Sequence, residues 1–293
     1  MKIKLNLLLL ILVILLLLLL LLLLFFLRFN KSNFSSNQNI LIIASHIKPK
    51  YGLNIINNNL KMAVNNEVNE VNKVNLIIIV YSLEDDTTNF NQNELNHYNI
   101  PLVCIHDTQN KFYDFYKYKL AYEYIKKNNI KFNWVFVTND SIITTQNVSW
   151  IFDEVLSSNS YDYIGILEVN TKIFEQNNNK KHYQSWWLNF KNNAFDYWYN
   201  NINFNDKHLI KYYDKHNDIT IGIKNIINDF EVDLSNDMIQ KFKSKAIFPL
   251  TINYEGNLFA NDDLFYDYYY NKNFNFVKIK HMKNDLIPKN LII

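Results

Sequence analysis

The chain has 293 residues, of which 48% are hydrophobic, 16% aromatic and 20% charged. This composition excludes a disordered, charge-rich polymer and is enough for one large domain with a complete core. Removing Lys2 and Lys4, which precede an apolar segment, from the 30 basic residues leaves 28, equal to the 28 acidic residues. A body with no net charge lacks the basic field of a nucleic-acid-binding protein, so we expect no nucleic-acid partner.

Glycine and cysteine are both scarce. The four glycines are widely separated: Gly52, Gly165, Gly222 and Gly256. This spacing excludes a P-loop and a GxGxxG dinucleotide fingerprint, which need several glycines close together. The single cysteine, Cys104, excludes internal disulfides and cysteine-rich zinc sites, and its apolar surroundings predict a buried strand thiol rather than a nucleophile.

The first predicted element is a membrane anchor. Residues 5–27 are apolar and uncharged, and at about 1.5 Å per residue they span roughly 34 Å, enough for a hydrocarbon core of about 30 Å. The run is longer than the apolar part of a signal peptide and leads into Arg28 without a small-residue cleavage site. The sequence therefore predicts an uncleaved, single-pass anchor in the lipid bilayer.

The charges beside the anchor favour a type II orientation. Lys2, Lys4 and the amino terminus give the short side a small positive excess, which favours a cytosolic N-terminus. The body would then lie outside the cell or, in a eukaryote, in the lumen of a secretory-pathway membrane. In that case four asparagines would begin glycosylation sequons: Asn30, Asn33, Asn139 and Asn147. The predicted organisation is a tail (1–4), an anchor (5–27), a polar stem (28–38) and one folded domain (39–293).

The domain is predicted to have an α/β fold. Four segments are continuously apolar: Ile40–Ala44, Leu76–Tyr81, Leu102–Ile105 and Trp134–Thr138. Continuous apolar runs are typical of strands buried on both faces of a mainly parallel sheet. Helical periodicity predicts crossovers over Tyr113–Lys127 and from about Asn147, and a further strand is expected at Tyr161–Leu167. This alternation indicates a mainly parallel sheet with helical crossovers.

Ligands of such sheets bind beyond the carboxyl ends of the strands. Polar residues follow the first four predicted strands there: Ser45-His46, Glu84-Asp85-Asp86, His106-Asp107 and Asn139-Asp140-Ser141. In the last group, Asp140 is a candidate ligand of a divalent metal ion, with Asn139 and Ser141 orienting a sugar or diphosphate. The competing interpretation is an Asx or Ser cap on a following helix.

The order of the sequence blocks around this group resembles the rhamnan synthesis protein F family of glycosyltransferases. The chain reads VFVTNDSIITT, then YDYIGIL, then KHYQSWWLNFKNNAFDYWYNNI. The family has an Asn-Asp-Ser turn, an Asp-aromatic-x-Gly strand, a His-x-Gln-Ser-aromatic segment, and then Phe with an aromatic-Trp pair. The resemblance covers most of residues 40–285, is dense from about 110 to 200, and extends upstream to YDFYKYK and downstream to FNFVKIKHMKND.

This resemblance implies a glycosyltransferase with a GT-A-like nucleotide-sugar fold, a nucleotide-sugar donor, a glycan acceptor and Mg²⁺ or Mn²⁺ as cofactor. Such a transfer needs stabilisation of the leaving diphosphate and usually a base for the acceptor hydroxyl. The catalytic candidates are Asp140, which is also the candidate metal ligand, and the base candidates Asp114 and His182. The substrate-binding candidates are Asn139, Ser141, Gln184, Ser185, Tyr113, Lys119 and Lys278. Inversion and a rhamnose or related hexose donor are expected by analogy alone.

The chain also departs from the family. Phe112 and Tyr116 stand where the family has glycines, and Thr220 stands where it has Glu, with Asp218 the nearest carboxylate. A degenerate relative that binds glycan or serves as a membrane-tethered scaffold is therefore the alternative function. A hydrolase ranks below both because no Ser-His-Asp or metal-hydrolase signature is present.

Several candidates have ordinary structural interpretations. His182 could be a surface histidine rather than a ligand. Trp186 and Trp187 could form a sugar-stacking face, but core packing is favoured. The basic residues Lys278, Lys280, His281 and Lys283 could hold a diphosphate or lie on a solvated face, and Asp262-Asp263 is expected in a surface loop.

Overall fold

The fold is described from a computed structural model. It describes residues 38–49, 53–63, 73–85, 88, 90–95, 99–144, 148–171, 180–211, 213–214, 219–248 and 276–278. The predicted anchor and nearly all of the predicted stem lie outside these residues. Among the described ranges, no helix has the length and apolar character needed to cross a bilayer.

The described residues form twelve strands. They are β1 (Gln38–Ile47), β2 (Leu76–Leu83), β3 (Leu102–His106), β4 (Phe132–Asn139), β5 (Ile142–Thr144), β6 (Tyr163–Thr171), β7 (Lys180–Tyr183), β8 (Trp187–Lys191), β9 (Tyr213–Asp214), β10 (Ile219–Thr220), β11 (Ser244–Phe248) and β12 (Phe276–Lys278). Seven of them form the main sheet in the order β3-β2-β1-β4-β8-β6-β11, and β7 extends it by pairing with β6.

The main sheet is mostly parallel. Strand β1 pairs in parallel with β2 and β4, β2 with β3, and β6 with β11. Strand β8 lies between β4 and β6 and runs antiparallel to both, with Thr138 opposite Trp187 and Tyr163 opposite Phe190. The predicted α/β class with a mainly parallel sheet is therefore confirmed, whereas the inserted antiparallel strand was not predicted.

Helices cover both faces of this sheet. They are α1 (Asn54–Ala63), α2 (Tyr113–Lys127), α3 (Ser149–Ser157), α4 (Asn192–Asn201), α5 (Ile221–Ile226) and α6 (Leu234–Lys241), with 3₁₀ turns at Gln92–Leu95 and Asp206–Leu209. A π-helical turn, Ile227–Asp233, joins α5 to α6. Helix α2 has the predicted bounds, and α3 agrees with the helix predicted from about residue 147.

Two apolar layers explain the continuous apolar runs. Leu41 and Ile43 point to one layer with α1 and α3, whereas Ile40 and Ile42 point to the other layer with α2, α4 and α6. Successive strand residues alternate between faces, so a strand that is covered on both faces is apolar throughout. Strands β1, β2 and β4 are the predicted strands with a few residues added at their ends.

Cys104 is less buried than predicted. It lies in β3 as expected, but β3 is an edge strand and its apolar residues are only partly covered. Burial still raises the pKa of the Cys104 thiol to about 11. The thiol is therefore protonated at neutral pH, and the prediction that it is no nucleophile agrees with this environment.

The C-terminal strand returns to the middle of the chain. Strand β12 pairs antiparallel with β5, with Phe276 opposite Thr144 and Lys278 opposite Ile142. The other side of β5 is covered by α1, where Asn59 donates to the Ile142 carbonyl at 2.9 Å and accepts from the Thr144 N–H at 3.0 Å. Residues 142–144 are therefore held from both sides directly after the Asn139-Asp140-Ser141 group.

Candidate active site

Polar side chains from the ends of β1, β2 and β4 and from the loop after β3 meet at one edge of the main sheet. Because these strands are parallel, their carboxyl ends lie side by side, as the sequence predicted. The central residue is Asp140, which directly follows β4. Its N–H donates to the Ala44 carbonyl of β1 at 3.1 Å, which keeps the turn after β4 against the neighbouring strand.

The Asp140 carboxylate is fixed by β1. Its Oδ2 accepts hydrogen bonds from Ser45 Oγ at 2.6 Å and from the His46 N–H at 2.7 Å. Burial raises the pKa of Asp140, while these two donors oppose that effect by favouring the ionised form. Ser45 and His46, which the sequence placed at the strand ends, thus orient this carboxylate.

Asn139 connects Asp140 to a second carboxyl group. Its Nδ2 donates to Asp114 Oδ2 at 2.7 Å, and its Oδ1 accepts from the N–H and hydroxyl of Ser141 at 3.1 and 2.5 Å. Strand β5 follows this turn, so the alternative interpretation of a cap on a following helix is wrong. Asn139 is 4% exposed, so this fold leaves no room for a glycan on its side chain.

Asp114 lies in the first turn of α2 and faces the same edge. Burial, followed by the negative charge of Asp140, raises the pKa of Asp114 to about 7. The positive charge of Lys117 and the Asn139 hydrogen bond act in the opposite direction. Asp114 can therefore take up or release a proton near neutral pH, which is the property expected of a general base.

Lys117 is a site residue that the sequence analysis missed. Its side chain is 1% exposed, and Nζ donates to Asn110 Oδ1 at 3.0 Å and lies 3.6 Å from Asp107 Oδ2. Lys117 follows Asp114 by three positions and therefore shares its helix face. A lysine on the buried face of a helix, three residues from an acidic candidate, was the signal that could have revealed it.

A hydrogen-bonded cluster joins the ends of β1 and β2 to the loop after β3. The Ser82 hydroxyl donates to Asn110 Oδ1 at 2.9 Å, and His46 Nδ1 lies 3.0 Å from Ser82 Oγ and 3.2 Å from Asn110 Nδ2. Burial, and then the charge of Lys117, lowers the pKa of His46. The neutral ring can therefore accept a hydrogen bond from the Asn110 amide.

The other acidic groups at the strand ends have local roles in their loops. Asp85 accepts hydrogen bonds from the N–H and hydroxyl of Thr88 at 2.9 and 2.8 Å. Asp107 likewise accepts from the N–H groups of Gln109 and Asn110 at 3.0 and 3.1 Å, besides facing Lys117. These contacts fix the loops around the site.

His182 and Gln184 lie on the opposite side of β4 from His46. His182 is 1% exposed, and its Nδ1 lies 3.1 Å from the Lys180 carbonyl. The alternative interpretation of a surface histidine is therefore wrong. Burial lowers the pKa of His182. Gln184 is also buried, and its N–H donates to the Leu167 carbonyl at 3.0 Å.

Glu231, the hydrogen-bond partner of Ser185, is a second site residue that the sequence did not indicate. The Ser185 hydroxyl donates to Glu231 Oε2. Glu231 belongs to the π-helical turn. Its charge adds to the burial and the Asp140 charge that raise the pKa of Asp114, and it partly opposes the burial that lowers the pKa of His182. No motif marked Glu231, because it reaches the site through the tertiary packing of a helix far along the chain.

Both tryptophans of the segment are core residues. Trp186 and Trp187 are each 2% exposed, and Trp187 Nε1 donates to Asn189 Oδ1 at 2.9 Å. The favoured prediction of core packing is confirmed, and neither ring offers a stacking face to a sugar.

Three other substrate-binding candidates, Tyr113, Lys119 and Lys278, lie in different parts of the fold. Tyr113 is 48% exposed at the start of α2, with a positive φ of 54°. Lys119 lies over aromatic rings, with Nζ 5.4 Å from the Tyr199 centroid and 5.8 Å from the Phe204 centroid. It is two positions from Lys117 and so faces another direction. Lys278 has its backbone beside Ile142, and its side chain is not described.

The block with Thr220 is a helix start. Thr220 Oγ1 accepts from the Ile223 N–H at 3.2 Å and caps α5.

Two glycines in the resembling blocks are tightly packed. A Cβ on Gly222 would lie 2.6 Å from the His208 carbonyl oxygen, and one on Gly165 would lie 2.2 Å from Tyr183 Cγ.

Other candidates lie outside the described residues. They are Asp86, Asp218, Asp262, Asp263, Lys280, His281 and Lys283, and the sequon residues Asn30, Asn33 and Asn147. Within the described ranges, no three His, Cys, Asp or Glu side chains are arranged to hold a metal ion.

Comparison with known proteins gives structural likenesses only. No protein-family model and no curated protein sequence matches the chain, so the resemblance to the rhamnan synthesis F family remains a prediction. Similar solved structures include a Bacillus anthracis protein assigned as a glucose-1-phosphate thymidylyltransferase (TM-score 0.44, 7% identity, 73% of this chain and 87% of that chain). A second is HddC from Yersinia pseudotuberculosis (TM-score 0.38, 12% identity, 72% of this chain and 90% of that chain). A third is the inositol-1-phosphate CTP transferase from T. maritima (TM-score 0.36, 8% identity, 73% of this chain and 86% of that chain). These likenesses are too distant to indicate an activity.

Proposed function

We propose that the chain is a membrane-anchored glycosyltransferase that moves a sugar, rhamnose or a related hexose, from a nucleotide sugar to a growing glycan. The observation that carries this proposal is the Asp114-Asn139-Asp140 arrangement at the carboxyl ends of the strands. It offers an oriented carboxylate and, beside it, a carboxyl group with a pKa near neutrality. The mainly parallel sheet is consistent with the GT-A-like fold expected from the sequence.

Asp140 is proposed to act on the leaving diphosphate. Ser45 and His46 hold its carboxylate in one orientation, which suits a ligand of Mg²⁺ or Mn²⁺ whose other ligands include diphosphate oxygens. A cation bound there would neutralise charge that develops on the departing nucleotide. Lys278, whose backbone lies beside β5, is a further candidate for this role.

Asp114 is proposed as the base that accepts the proton of the acceptor hydroxyl. Its pKa of about 7 allows it to be ionised in a substantial fraction of molecules at neutral pH. His182, the other base candidate, is deeply buried and has one ring nitrogen at the Lys180 carbonyl. An attack on the face opposite the leaving group, assisted by Asp114, would invert the anomeric centre.

The test uses the full-length chain, purified in detergent or nanodiscs. It is incubated with a panel of nucleotide sugars, with and without Mn²⁺ or Mg²⁺, and sugar release and transfer are measured. We expect one donor to be used, and Asp140→Ala to lose transfer while remaining folded. Full activity of Asp140→Ala would remove Asp140 from the mechanism.

The alternative function is that of a membrane-tethered glycan-binding protein or scaffold without catalysis. The observation that favours it is Thr220, which serves as a helix cap where the resembled family has Glu. Titration calorimetry distinguishes the two functions. Nucleotide-sugar binding supports the transferase, whereas glycan binding without nucleotide-sugar binding supports the alternative.

A further inference from the structure

The π-helical turn brings an additional carboxylate to the site. Glu231 lies in this turn and accepts the Ser185 hydroxyl through Oε2. A π-helical turn is rare and aims its side chains differently from an α-helix, and such turns are frequent at functional sites. The residue is only partly buried.

Ser185 is held firmly beside the end of β4. On one side of it, the Gln184 N–H donates to the Leu167 carbonyl at 3.0 Å. On the other side, the Trp186 carbonyl accepts from Thr138 Oγ1 at 2.9 Å. Thr138 directly precedes Asn139, so this segment brings Glu231 close to the Asn139-Asp140 turn.

A buried hydroxyl group lies among these acidic groups. Tyr118 is fully buried, and its hydroxyl makes no well-formed hydrogen bond with a described residue, although the Asn139 amide is close. Burial, followed by the charges of Asp114, Asp140 and Glu231, raises the pKa of Tyr118. A buried hydroxyl without a well-formed hydrogen bond is unfavourable, so this place is suited to a polar ligand group or water that completes it.

We propose that Glu231 binds the hydroxyl groups of the acceptor glycan and that Ser185 positions Glu231 for this task; this inference rests on the proposed function. One carboxylate oxygen accepts the Ser185 hydroxyl, and a carboxylate has room for several more donors. Sugar hydroxyls supply such donors. An anionic diphosphate would instead be repelled by Glu231, so its proposed position stays at Asp140, where the proposed cation would offset the charge of the carboxylate.

The test compares Glu231→Gln with the wild type in the full-length chain, and the acceptor is an oligosaccharide that the wild type uses when a panel of oligosaccharides is offered. The amide keeps the size of the side chain and can still accept the Ser185 hydroxyl, but it loses the charge. We expect the acceptor KM to rise at least tenfold, while the dissociation constant of the nucleotide sugar and its hydrolysis by water change less than twofold. Ser185→Ala should raise the acceptor KM by a smaller factor.

Glu154→Gln is the matched control, since Glu154 lies on α3, pairs with Lys245 and has no contact with the site residues named above. Thermal unfolding shows whether each variant is folded. An unchanged acceptor KM in Glu231→Gln would overturn the inference, as would an equal loss of donor affinity.

Failure of the proposed function can be recognised separately. If the wild type neither binds nor hydrolyses any nucleotide sugar, the transferase assignment fails. Binding of wild type and Glu231→Gln to a panel of immobilised oligosaccharides then decides the role of Glu231 alone. At least tenfold weaker binding by the variant supports that role, whereas equal binding, or none by the wild type, rejects it.

Discussion

The Asn139 amide nitrogen donates to Asp114 Oδ2 at 2.7 Å and thereby joins the end of β4 to the first turn of α2. Asp140 follows Asn139 directly, so one amide holds a carboxyl group of the helix next to a carboxyl group of the sheet. The hydrogen bond favours the ionised form of Asp114, whereas burial and the charge of Asp140 favour the protonated form. The balance of these effects controls the protonation of Asp114.

Asn139→Asp tests this balance. The substitution removes the donor and adds a negative charge, and both changes raise the pKa of Asp114 above its value of about 7. We expect transfer activity at pH 7 to fall by about tenfold for each unit by which this pKa rises, since less Asp114 is ionised, and the acidic limb of the pH-rate profile to move to higher pH. Asn133→Asp, at an exposed position of β4, is the control. An unchanged profile would contradict the prediction.

Asp114→Asn tests the pH dependence of stability. Between pH 4 and 7, folded Asp114 retains a proton that the unfolded chain has released, because its folded pKa is about 7 and its ordinary value is 3.8. Raising the pH through this window therefore lowers the free energy of unfolding of the wild type. The amide introduced by the substitution does not titrate, so the variant should gain stability relative to the wild type from pH 4 to pH 8. Urea unfolding at both pH values measures the difference.

Asp153→Asn on α3 is the control for that experiment, because this side chain is 59% exposed and pairs with Lys73 at the surface. Its stability relative to the wild type should not rise with pH. If Asp114→Asn also gives a pH-independent difference, the raised pKa of Asp114 is wrong.

Lys117→Met tests the buried ion pair. Removing the amino group leaves Asp107 buried without its cation, which costs about 3–5 kcal/mol in comparable sites. The double variant Asp107→Asn/Lys117→Met should recover part of this loss, because no unpaired charge remains. Lys119→Met, two residues away, removes only contacts over aromatic rings and should cost less than about 1 kcal/mol. Equal losses for Lys117→Met and Lys119→Met in chemical denaturation would contradict the assignment.

Gly222→Ala tests the packing of α5. The new Cβ would lie 2.6 and 2.7 Å from the backbone oxygens of His208 and Ile210, which cannot move as a side chain can. We expect a loss of about 1–3 kcal/mol in the free energy of unfolding, as for other overpacked positions. Ile221→Val, at a neighbouring exposed position, should change stability little. Wild-type stability of Gly222→Ala would show that the helix shifts freely.

The parts of the fold that follow local rules could be predicted from the sequence. The apolar runs indicated β1 to β4 because these strands lie in a sheet with apolar layers on both faces, and the four-residue periodicity indicated α2 at its observed bounds. Asn139, Asp140 and Asp114 were named as candidates, and the structure brings them together. Whether they act in catalysis remains a prediction.

The parts that depend on distant contacts could not be predicted. Strand β8 has a short apolar sequence, and only its pairing with β4 and β6 shows that it runs antiparallel between them. Glu231 is separated from Ser185 by 46 positions, and its approach depends on the π-helical turn. For Lys117, the helix periodicity indicated the buried face, but its partner Asp107 lies in a loop ten residues earlier and only the tertiary structure brings the two together.

The pairing of β12 with β5 has a consequence for how the protein is made. The segment after Asp140 acquires its antiparallel neighbour from residues 276–278, more than a hundred positions later. Contacts between such distant positions form slowly, because a long loop must close first. During synthesis, the strands that carry Ser45, His46 and Asp140 can pair while β12 has yet to emerge from the ribosome. Residues 142–144, which directly follow the turn of the candidate metal ligand, should thus be among the last parts of the molecule to reach their final protection from hydrogen exchange.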